Sequence, residues 1–352
     1  MTEHLVRPPR TGPPPPTSGR PRSAAVRPAR RTGPGLLARV KAGRWSYLYL
    51  TPFVLLVAAF TLYPIGASLV YTLFQWNGVG SPSHYVGLAN FRQVIHDHVF
   101  WRSFGHTFQY TLVLVPLQLL LALVLAVVLN NKKLRFSTFY RSVFFLPAVM
   151  SPAIIAVVFQ LMLSNFGDSI NAWLIKGHLM HHQVDWLGDP HTVMWVVIAI
   201  GIWNTLGYNL VYFLAGLQSI PEELYEAASL DGAGAWSKFW HVTLPGLREV
   251  GLMILFLATL GSLQVFDLVQ VLTGGGPYYS SSVVNTYIYQ EAFGGGLSAG
   301  GAGINVQPNV GFASAASFFY GLILMVITVS QALLLRRMRA RRNAARGVRE
   351  GQ

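Results

Sequence analysis

The sequence predicts an all-α, polytopic membrane protein with six membrane-spanning helices, and three observations support this fold class. Hydrophobic residues make up 52% of the 352 residues and charged residues only 11%, whereas a soluble domain carries about 25% charged residues. The apolar residues form separate runs, each long enough for the roughly 20 residues with which a helix crosses the hydrocarbon core. The basic residues are concentrated in alternate segments between these runs, as in cytoplasmic loops and tails.

Each apolar run is predicted to be one spanning helix. Asp267 is the only formally charged side chain within the runs. Prolines such as Pro116 and Pro147 lie inside them, and packed membrane helices tolerate proline because their neighbours satisfy the freed backbone groups. The predicted spans are Tyr47–Trp76, Thr107–Leu129, Val143–Leu163, Val193–Leu217, Val250–Leu272 and Phe312–Leu335.

The distribution of lysine and arginine predicts the orientation of these helices. Arg92, Arg102 and Lys176 are the only basic residues on one side of the predicted membrane, out of 26 in the chain. Because basic residues are retained in the cytoplasm and the number of spans is even, both termini are expected to be cytoplasmic. The remaining basic residues lie in residues 1–44, around 132–141, in the polar segment 219–248 and after Leu335.

The net charge of +13 does not indicate a nucleic-acid partner, because the basic residues are divided among short segments that flank the membrane. We expect them to face anionic lipid headgroups. Residues 1–44 are rich in proline, arginine and glycine and are predicted to be a disordered cytoplasmic tail. A second basic cytoplasmic tail is predicted over residues 338–352, and the first helix is expected to remain uncleaved.

The sequence carries no recognisable catalytic chemistry. It has no cysteine and no G-x-x-x-x-G-K-[S/T] phosphate loop, so ATP hydrolysis would require a separate subunit. No nucleophile, base and orienting group occur together in a known pattern. The cluster His178, His181, His182 and Asp185 lies in a polar outer loop without a second histidine pair, and it is interpreted as a loop rather than a metal site. We therefore predict a protein that is not an enzyme, with no cofactor and no metal.

The polar segment 219–248 is predicted to form two short helices separated by glycine. Ser219 and Glu222 have the spacing of a capping box, and Asp231-Gly232 supplies a chain reversal. The second helix is expected to end at Leu244-Pro245. Such a segment suits the docking of a partner protein, and it also suits an ordinary loop between helices; local physics leaves both interpretations open.

The spacing of this segment resembles the EAA loop of bacterial ABC importer permeases. The family pattern is E-A-A-x3-G-x9-I-x-L-P, and Val242 in place of isoleucine is the only departure. The resemblance implies the six-helix transmembrane domain of a type I ABC importer over residues 45–337, whose EAA loop docks on a cytoplasmic ATPase. The docking residues that it implies are Glu226, Ala227, Ala228, Gly232, Leu244 and Pro245.

Other motifs resemble the carbohydrate-uptake branch of these permeases, which includes the maltose permease F subunit and the sugar and glycerol-phosphate permeases. They are Tyr85–Phe91 (YVGLANF), Trp186–Pro190 (WLGDP), Phe266-Asp267 and Leu272–Pro277 (LTGGGP). The resemblance covers the six-helix core and leaves the substrate open.

This branch implies a permease subunit that imports a sugar or oligosaccharide through a bacterial plasma membrane. The implied partners are two copies of an ATP-binding cassette subunit, a second, homologous permease and an extracytoplasmic sugar-binding protein. The competing hypotheses are a secondary transporter driven by an ion gradient and a membrane assembly protein without a pathway.

Polar side chains inside the apolar runs mark candidates for the substrate pathway. Asn204, Thr205 and Tyr208 occupy positions i, i+1 and i+4 of the fourth span and therefore share one helix face. In the fifth span, the candidates Ser262, Gln264 and Asp267 fall within two turns. Both groups either line a sugar cavity or form hydrogen bonds between helices. For Asp267, placed two turns from the outer end of its helix, the structural role is favoured.

Overall fold

The computed structural model describes residues 44–131, 134–295 and 307–350, with side chains described between 48 and 337. The predicted disorder of residues 1–44 lies outside the described residues except at Arg44, where the first helix begins. Within these ranges, six helical segments are long and apolar enough to cross a membrane, which confirms the all-α, polytopic fold class. They are Leu48–Tyr71, His98–Leu129, Pro152–Lys176, Val193–Gln218, Ala235–Leu272 and Val310–Arg337.

The individual helices are, in chain order, α1 Arg44–Val57, α2 Tyr63–Tyr71, α3 Ala89–His96, α4 His98–Leu129, α5 Ser137–Val149, α6 Pro152–Lys176, α7 Val193–Gln218, α8 Glu222–Leu230, α9 Ala235–Lys238, α10 Leu244–Leu263, α11 Asp267–Leu272, α12 Val284–Phe293 and α13 Val310–Glu350. Two π-helical segments cover Ala58–Leu62 and Phe239–Thr243. The strands β1 Phe74–Gln75 and β2 His84–Tyr85 form a short antiparallel ladder in which Phe74 faces Tyr85.

The chain divides into two units, of which the first ends at Thr61 and the second begins at Leu62. The described part of the first unit is helical and contains Pro52 within α1. Its large apolar side chains, such as Phe53 and Phe60, are exposed. Apolar side chains on the outside of a helix are expected where lipid is the solvent.

The second unit is built around α4, whose 32 residues span about 48 Å at 1.5 Å per residue. Three apolar clusters follow one another along this helix. Near its start, Phe100 packs with residues of α3, α12 and α13. In its middle, Leu114 packs with residues of α6, α7 and α11. Near its end, Ala126 packs with residues of α7 and α10.

Glycine at position 207 allows α5 and α7 to approach closely. A Cβ atom on Gly207 would lie 2.7 Å from the carbonyl oxygen of Phe144 and 2.9 Å from the Cβ of Ala148. Small residues at such crossings let membrane helices pack backbone to backbone, where dispersion contacts and interhelical hydrogen bonds hold them together.

The third predicted span was wrong in its bounds. Residues 143–163 form the end of α5 and the start of α6, with Met150 and Ser151 in extended conformations between them. Ser151 precedes Pro152, whose ring disfavours the helical conformation for the residue before it, while proline is well suited to the first turn of a new helix. The membrane-length helix is therefore Pro152–Lys176, and it carries Asp168 and Lys176 toward its end.

The fifth predicted span is broken at Gln264–Phe266, between α10 and α11. A break inside a membrane frees backbone carbonyls, which need other donors. The carbonyl of Leu263 accepts a 2.5 Å hydrogen bond from Tyr320 Oη, and that of Val265 accepts a 3.4 Å hydrogen bond from Asn285 Nδ2. Side chains of α13 and α12 thus stabilise the break.

Two other spans are longer than predicted. The second begins at His98, because the Asp97 carboxylate accepts hydrogen bonds from the amides of Val99 and Phe100 at 2.7 and 3.0 Å and caps the helix. The backbone of the sixth continues as helix to Glu350, through most of the segment predicted only as a basic tail.

Candidate functional site

A cavity of about 450 Å³ lies between α4, α7, α10 and α11. The structure brings all six pathway candidates to its wall, although they come from two separate groups in the sequence. They are Asn204, Thr205, Tyr208, Ser262, Gln264 and Asp267.

Asn204 and Thr205 line the cavity and also connect helices. Asn204 is 6% exposed, and its Nδ2 donates a 2.9 Å hydrogen bond to the carbonyl of Pro147 in α5. The hydroxyl of Thr205 lies within hydrogen-bonding distance of Gln118 Oε1 of α4 and of the carbonyl of Gly201, and its single proton is shared between these two acceptors. Both side chains therefore have the structural role that the sequence left open, in addition to their place on the cavity wall.

Tyr208 is the more available member of this face. Its side chain is 45% exposed, and its ring makes an edge contact with Phe145 at a centroid distance of 6.0 Å. Tyr208 also lines the cavity, so its partly exposed ring is accessible there. This geometry suits packing against the apolar face of a ligand ring.

Ser262 is buried, and its hydroxyl donates a 2.9 Å hydrogen bond to the carbonyl of Thr259. Gln264 lies at the break and is exposed. Asp267 was predicted to lie two turns from the outer end of a continuous helix; it is instead the first residue of the short helix α11 and is exposed. The partial positive charge of a helix N-terminus stabilises a carboxylate there. Because Asp267 is exposed, burial does not require the purely structural role that the sequence analysis favoured for it.

The structure adds lining residues that the sequence analysis missed. Tyr212 follows Tyr208 at i+4 and therefore lies on the same helix face, so helix periodicity could have found it, while Asn209 is the position next to Tyr208. Tyr110 and Gln118 come from α4, and they were not identified as candidates because the run around them is predominantly apolar. These side chains complete a wall of tyrosine, amide and hydroxyl groups: Tyr110, Gln118, Asn209 and Tyr212.

The predicted EAA loop forms a helical hairpin at the other end of α10. Helices α8 and α9 are separated by Gly232, whose φ of +78° is readily adopted by glycine. The hydroxyls of Tyr225 and Thr243 share a hydrogen bond at 3.0 Å, and Lys238 Nζ donates to Ser229 Oγ at 2.7 Å. The second bond joins α8 to α9, and the first joins α8 to the π-helical segment that follows α9.

Two details of this segment differ from the sequence-based expectation. Ser219 does not form a capping box, because its hydroxyl donates to the carbonyl of Gly216 and Pro221 occupies the cap position of α8. The second short helix does not end at Leu244-Pro245, because the π-helical segment Phe239–Thr243 connects it directly to α10. Pro245 lies in the first turn of α10, where the missing amide donor is least costly.

The hairpin exposes apolar side chains on a polar segment. Leu230 is 89% exposed and Trp236 is 73% exposed. The rings of Trp236 and Phe239 stack at a centroid distance of 6.0 Å, and Trp240 contacts both. Of the predicted docking residues, Glu226, Ala227, Gly232 and Pro245 are exposed, while Ala228 and Leu244 are half-buried.

A cluster of titratable groups lies at the start of α4, outside the membrane-length segments. Tyr287 Oη donates a 2.6 Å hydrogen bond to Asp97 Oδ2. Burial, followed by the nearby Asp97 carboxylate, raises the pKa of Glu291 to about 7, although a hydrogen bond with Tyr287 opposes this shift. Burial and the hydrogen bond to Asp97 raise the pKa of Tyr287, and burial followed by the two carboxylates raises that of Tyr279. Within the described ranges, no three His, Asp or Glu side chains come together as a possible metal site.

These features define a multi-span membrane protein with a cavity between its helices, lined in part by polar side chains, and an exposed helical hairpin on a neighbouring polar segment. Residues 118–340 match the family described as binding-protein-dependent transport system inner membrane component. The chain belongs to this family.

Named relatives and solved structures agree with this membership. The chain is 33% identical to the probable ABC transporter permease protein YurN of Bacillus subtilis, over 82% of this chain and 93% of that protein. It is 35% identical to the lactose transport system permease protein LacF of Rhizobium radiobacter, over 81% and 91%. In fold, it is similar to a bacterial ABC transporter involved in the import of the acidic polysaccharide alginate, with a TM-score of 0.70, 22% identity, and coverage of 86% of this chain and 98% of that one.

Proposed function

We propose that this chain is the permease subunit of an ATP-driven importer that carries a sugar or oligosaccharide across a bacterial plasma membrane. The proposal follows from family membership together with the names of relatives, which include transport systems for lactose, arabinooligosaccharides and trehalose/maltose. Its substrate would be delivered by an extracytoplasmic binding protein. One of the structurally similar transporters is described in complex with an alginate pentasaccharide-bound periplasmic protein.

The observation that carries the substrate class is the composition of the cavity wall. Gln264 offers an exposed amide, and Asn204 and Ser262, which donate to the carbonyls of Pro147 and Thr259, keep their side-chain oxygens as acceptors. Such groups match sugar hydroxyls as donors and acceptors. Tyr208 and Tyr212 offer rings on which the apolar face of a pyranose packs. The lining residues contain one carboxylate, Asp267, and no basic side chain. This combination suits a hydroxyl-rich ligand without a large net charge.

The EAA hairpin supports a cytoplasmic ATPase as partner. Its exposed Leu230, Trp236 and Trp240 would be covered by the ATPase, as expected for the aromatic anchors of an interface. Because α9 continues through the π-helical segment into α10, a displacement of the docked hairpin moves the helix that lines the cavity. Closure of an ATPase dimer would thereby be transmitted to the substrate site.

The remaining partners follow from the same scheme. A cavity lined by one six-span chain is half of a pathway, so a second, homologous permease completes it, and each permease docks one of two ATPase copies. The concentration of basic residues in the tails and in the EAA segment supports cytoplasmic termini. Alternating access then exposes the cavity first to the binding protein and afterwards to the cytoplasm.

An ion-driven secondary transporter is not favoured by the family match, and Asp267 is the only carboxylate lining the cavity in the part of the chain that the structure describes. The two mechanisms differ in their energy source. Sugar uptake by membrane vesicles containing the complete transporter should require ATP and be inhibited by vanadate, whereas dissipating the proton and sodium gradients with ionophores should leave it intact. Uptake that is abolished by ionophores and indifferent to vanadate would overturn the proposal.

A further inference from the structure

A second cavity, of about 520 Å³, adjoins the first and shares one residue with it. It lies between α2, α12 and α13, and Phe266 lines both cavities. Both volumes fall within the range of roughly 300–1,000 Å³ that is typical of small-molecule sites. The sequence motifs assign no role to the second cavity, and none of the proposed docking or pathway residues lines it.

Phe266 is held in position at the break between α10 and α11. Next to it, the carbonyl of Val265 accepts a hydrogen bond from Asn285 of α12. Its ring contacts the ring of Tyr289, at a centroid distance of 5.3 Å, and Tyr289 contacts Phe293 at 5.0 Å. The Phe266 side chain therefore lies between the two cavities and packs against an aromatic ring that lines the second one.

The second cavity resembles the first in being lined mainly by apolar surface with a few polar groups. Ser314 and Ser317 contribute hydroxyl groups, Asn285 contributes an amide, and Tyr289 and Phe293 contribute rings. None of its lining residues is charged. Asn285 and Ser317 donate hydrogen bonds to the carbonyls of Val265 and Ala313, and their side-chain oxygens remain as acceptors. Together with the rings, these groups match the hydroxyls and the apolar face of an uncharged sugar.

We propose that the second cavity is an outer subsite for one part of an oligosaccharide and that Phe266 separates two consecutive subsites of one path. This inference rests on the proposed function as a sugar permease. A short sugar occupies one cavity at a time. A longer one occupies both, with the Phe266 side chain turned aside and the sugar packed against Tyr289.

The first experiment tests whether the two cavities form one aqueous path, independently of any sugar. The native chain has no cysteine, so single cysteines are introduced into the complete transporter in intact cells, which are treated with the membrane-impermeant reagent MTSET. Ser317→Cys, in the second cavity, should react. The matched control Ser330→Cys, on the same helix but lining neither cavity, should not. Gln264→Cys, in the first cavity, should react faster when Phe266 is replaced by alanine or, more conservatively, by leucine.

The second experiment measures uptake of lactose and of arabinooligosaccharides of increasing length. Tyr289→Ala should lower uptake of the longer sugars by roughly fivefold relative to the shorter ones, the ratio that corresponds to one lost aromatic contact. An unreactive Ser317→Cys would show a cavity filled by lipid or protein and would overturn the proposal, as would a Gln264→Cys rate that ignores Phe266. If wild-type vesicles show no ATP-dependent uptake of any sugar, the proposed function fails, and the labelling still decides whether the cavities are continuous.

Discussion

The hydroxyl of Tyr320 donates a 2.5 Å hydrogen bond to the carbonyl oxygen of Leu263, and both residues are 3% exposed. This carbonyl is at the end of α10, where the helix breaks before α11. A carbonyl left without a donor in an apolar environment carries a desolvation cost. The contact therefore permits an interruption in the helix that lines the cavity between α4, α7 and α10.

Tyr320→Phe should lower the stability of the protein by about 1 kcal/mol, because it removes the hydroxyl and leaves the ring in place. The measurement is the thermal unfolding of the purified transporter in detergent. Tyr63→Phe is a matched control, since its side chain is 73% exposed. Equal unfolding temperatures for the two variants would show that the hydrogen bond does not stabilise the break.

The second prediction concerns Glu291, whose pKa is raised to about 7 by burial and by the Asp97 carboxylate. A carboxyl with a raised pKa in the folded protein contributes stability at low pH that is lost as the pH rises through that pKa. The wild-type protein should therefore lose stability between about pH 5 and about pH 8 relative to Glu291→Gln. Thermal unfolding across this range tests the prediction, with Asp168→Asn, an exposed carboxylate, as the control. Parallel pH profiles for wild type and Glu291→Gln would contradict it.

The third prediction concerns the EAA hairpin. Gly232→Val should disrupt the turn between α8 and α9, because valine is poorly accommodated at a φ of +78°. Co-purification of the ATPase should fall while membrane insertion is retained. Gly234→Ala is the matched control, since Gly234 has a φ of −71° and open space around its Cα. Glu226→Lys should also weaken docking by reversing an exposed charge. Full recovery of the ATPase with Gly232→Val would reject the docking role.

The fourth prediction separates the two roles on the α7 face. Tyr208→Ala should reduce sugar uptake while assembly persists, because it removes an exposed ring worth on the order of 1 kcal/mol. Asn204→Leu should instead impair assembly or stability, because it removes the donor to the buried carbonyl of Pro147.

Size-exclusion profiles, ATP hydrolysis without sugar and sugar uptake are measured for both variants. Tyr140→Ala serves as the control, since Tyr140 is 44% exposed and lies outside the cavity. An assembly defect in Tyr208→Ala would make this face a packing surface and move the substrate contacts elsewhere.

The fifth prediction concerns orientation. Ser83→Cys and Ser229→Cys are both exposed substitutions in a chain without native cysteine. An impermeant maleimide should label the first in intact cells and the second only after the membrane is opened. The reverse pattern would place the EAA hairpin outside the cell and exclude an ATPase as its partner.

The sequence by itself determined the class of fold and the segments that matter. Long apolar runs can be satisfied in lipid only as helices, so six spans followed from composition and length. Likewise, i, i+1 and i+4 spacing placed Asn204, Thr205 and Tyr208 on neighbouring positions of one helix side. The glycine of the EAA pattern predicted a turn, and Gly232 adopts the positive φ that such a turn uses.

Only the tertiary structure decided where the helices break and which polar groups remain free. The same apolar run is compatible with one helix or with two. Local sequence does not distinguish them, because the donors that stabilise the break at Gln264–Phe266 come from α12 and α13, which are distant in the sequence. For the same reason, helix periodicity could not predict that Asn204 donates a hydrogen bond to the carbonyl of Pro147, whereas Tyr208 is exposed and lines the cavity. Hydrogen bonds between distant segments, which local pattern does not encode, divide polar residues in a membrane into structural contacts and groups available to a substrate.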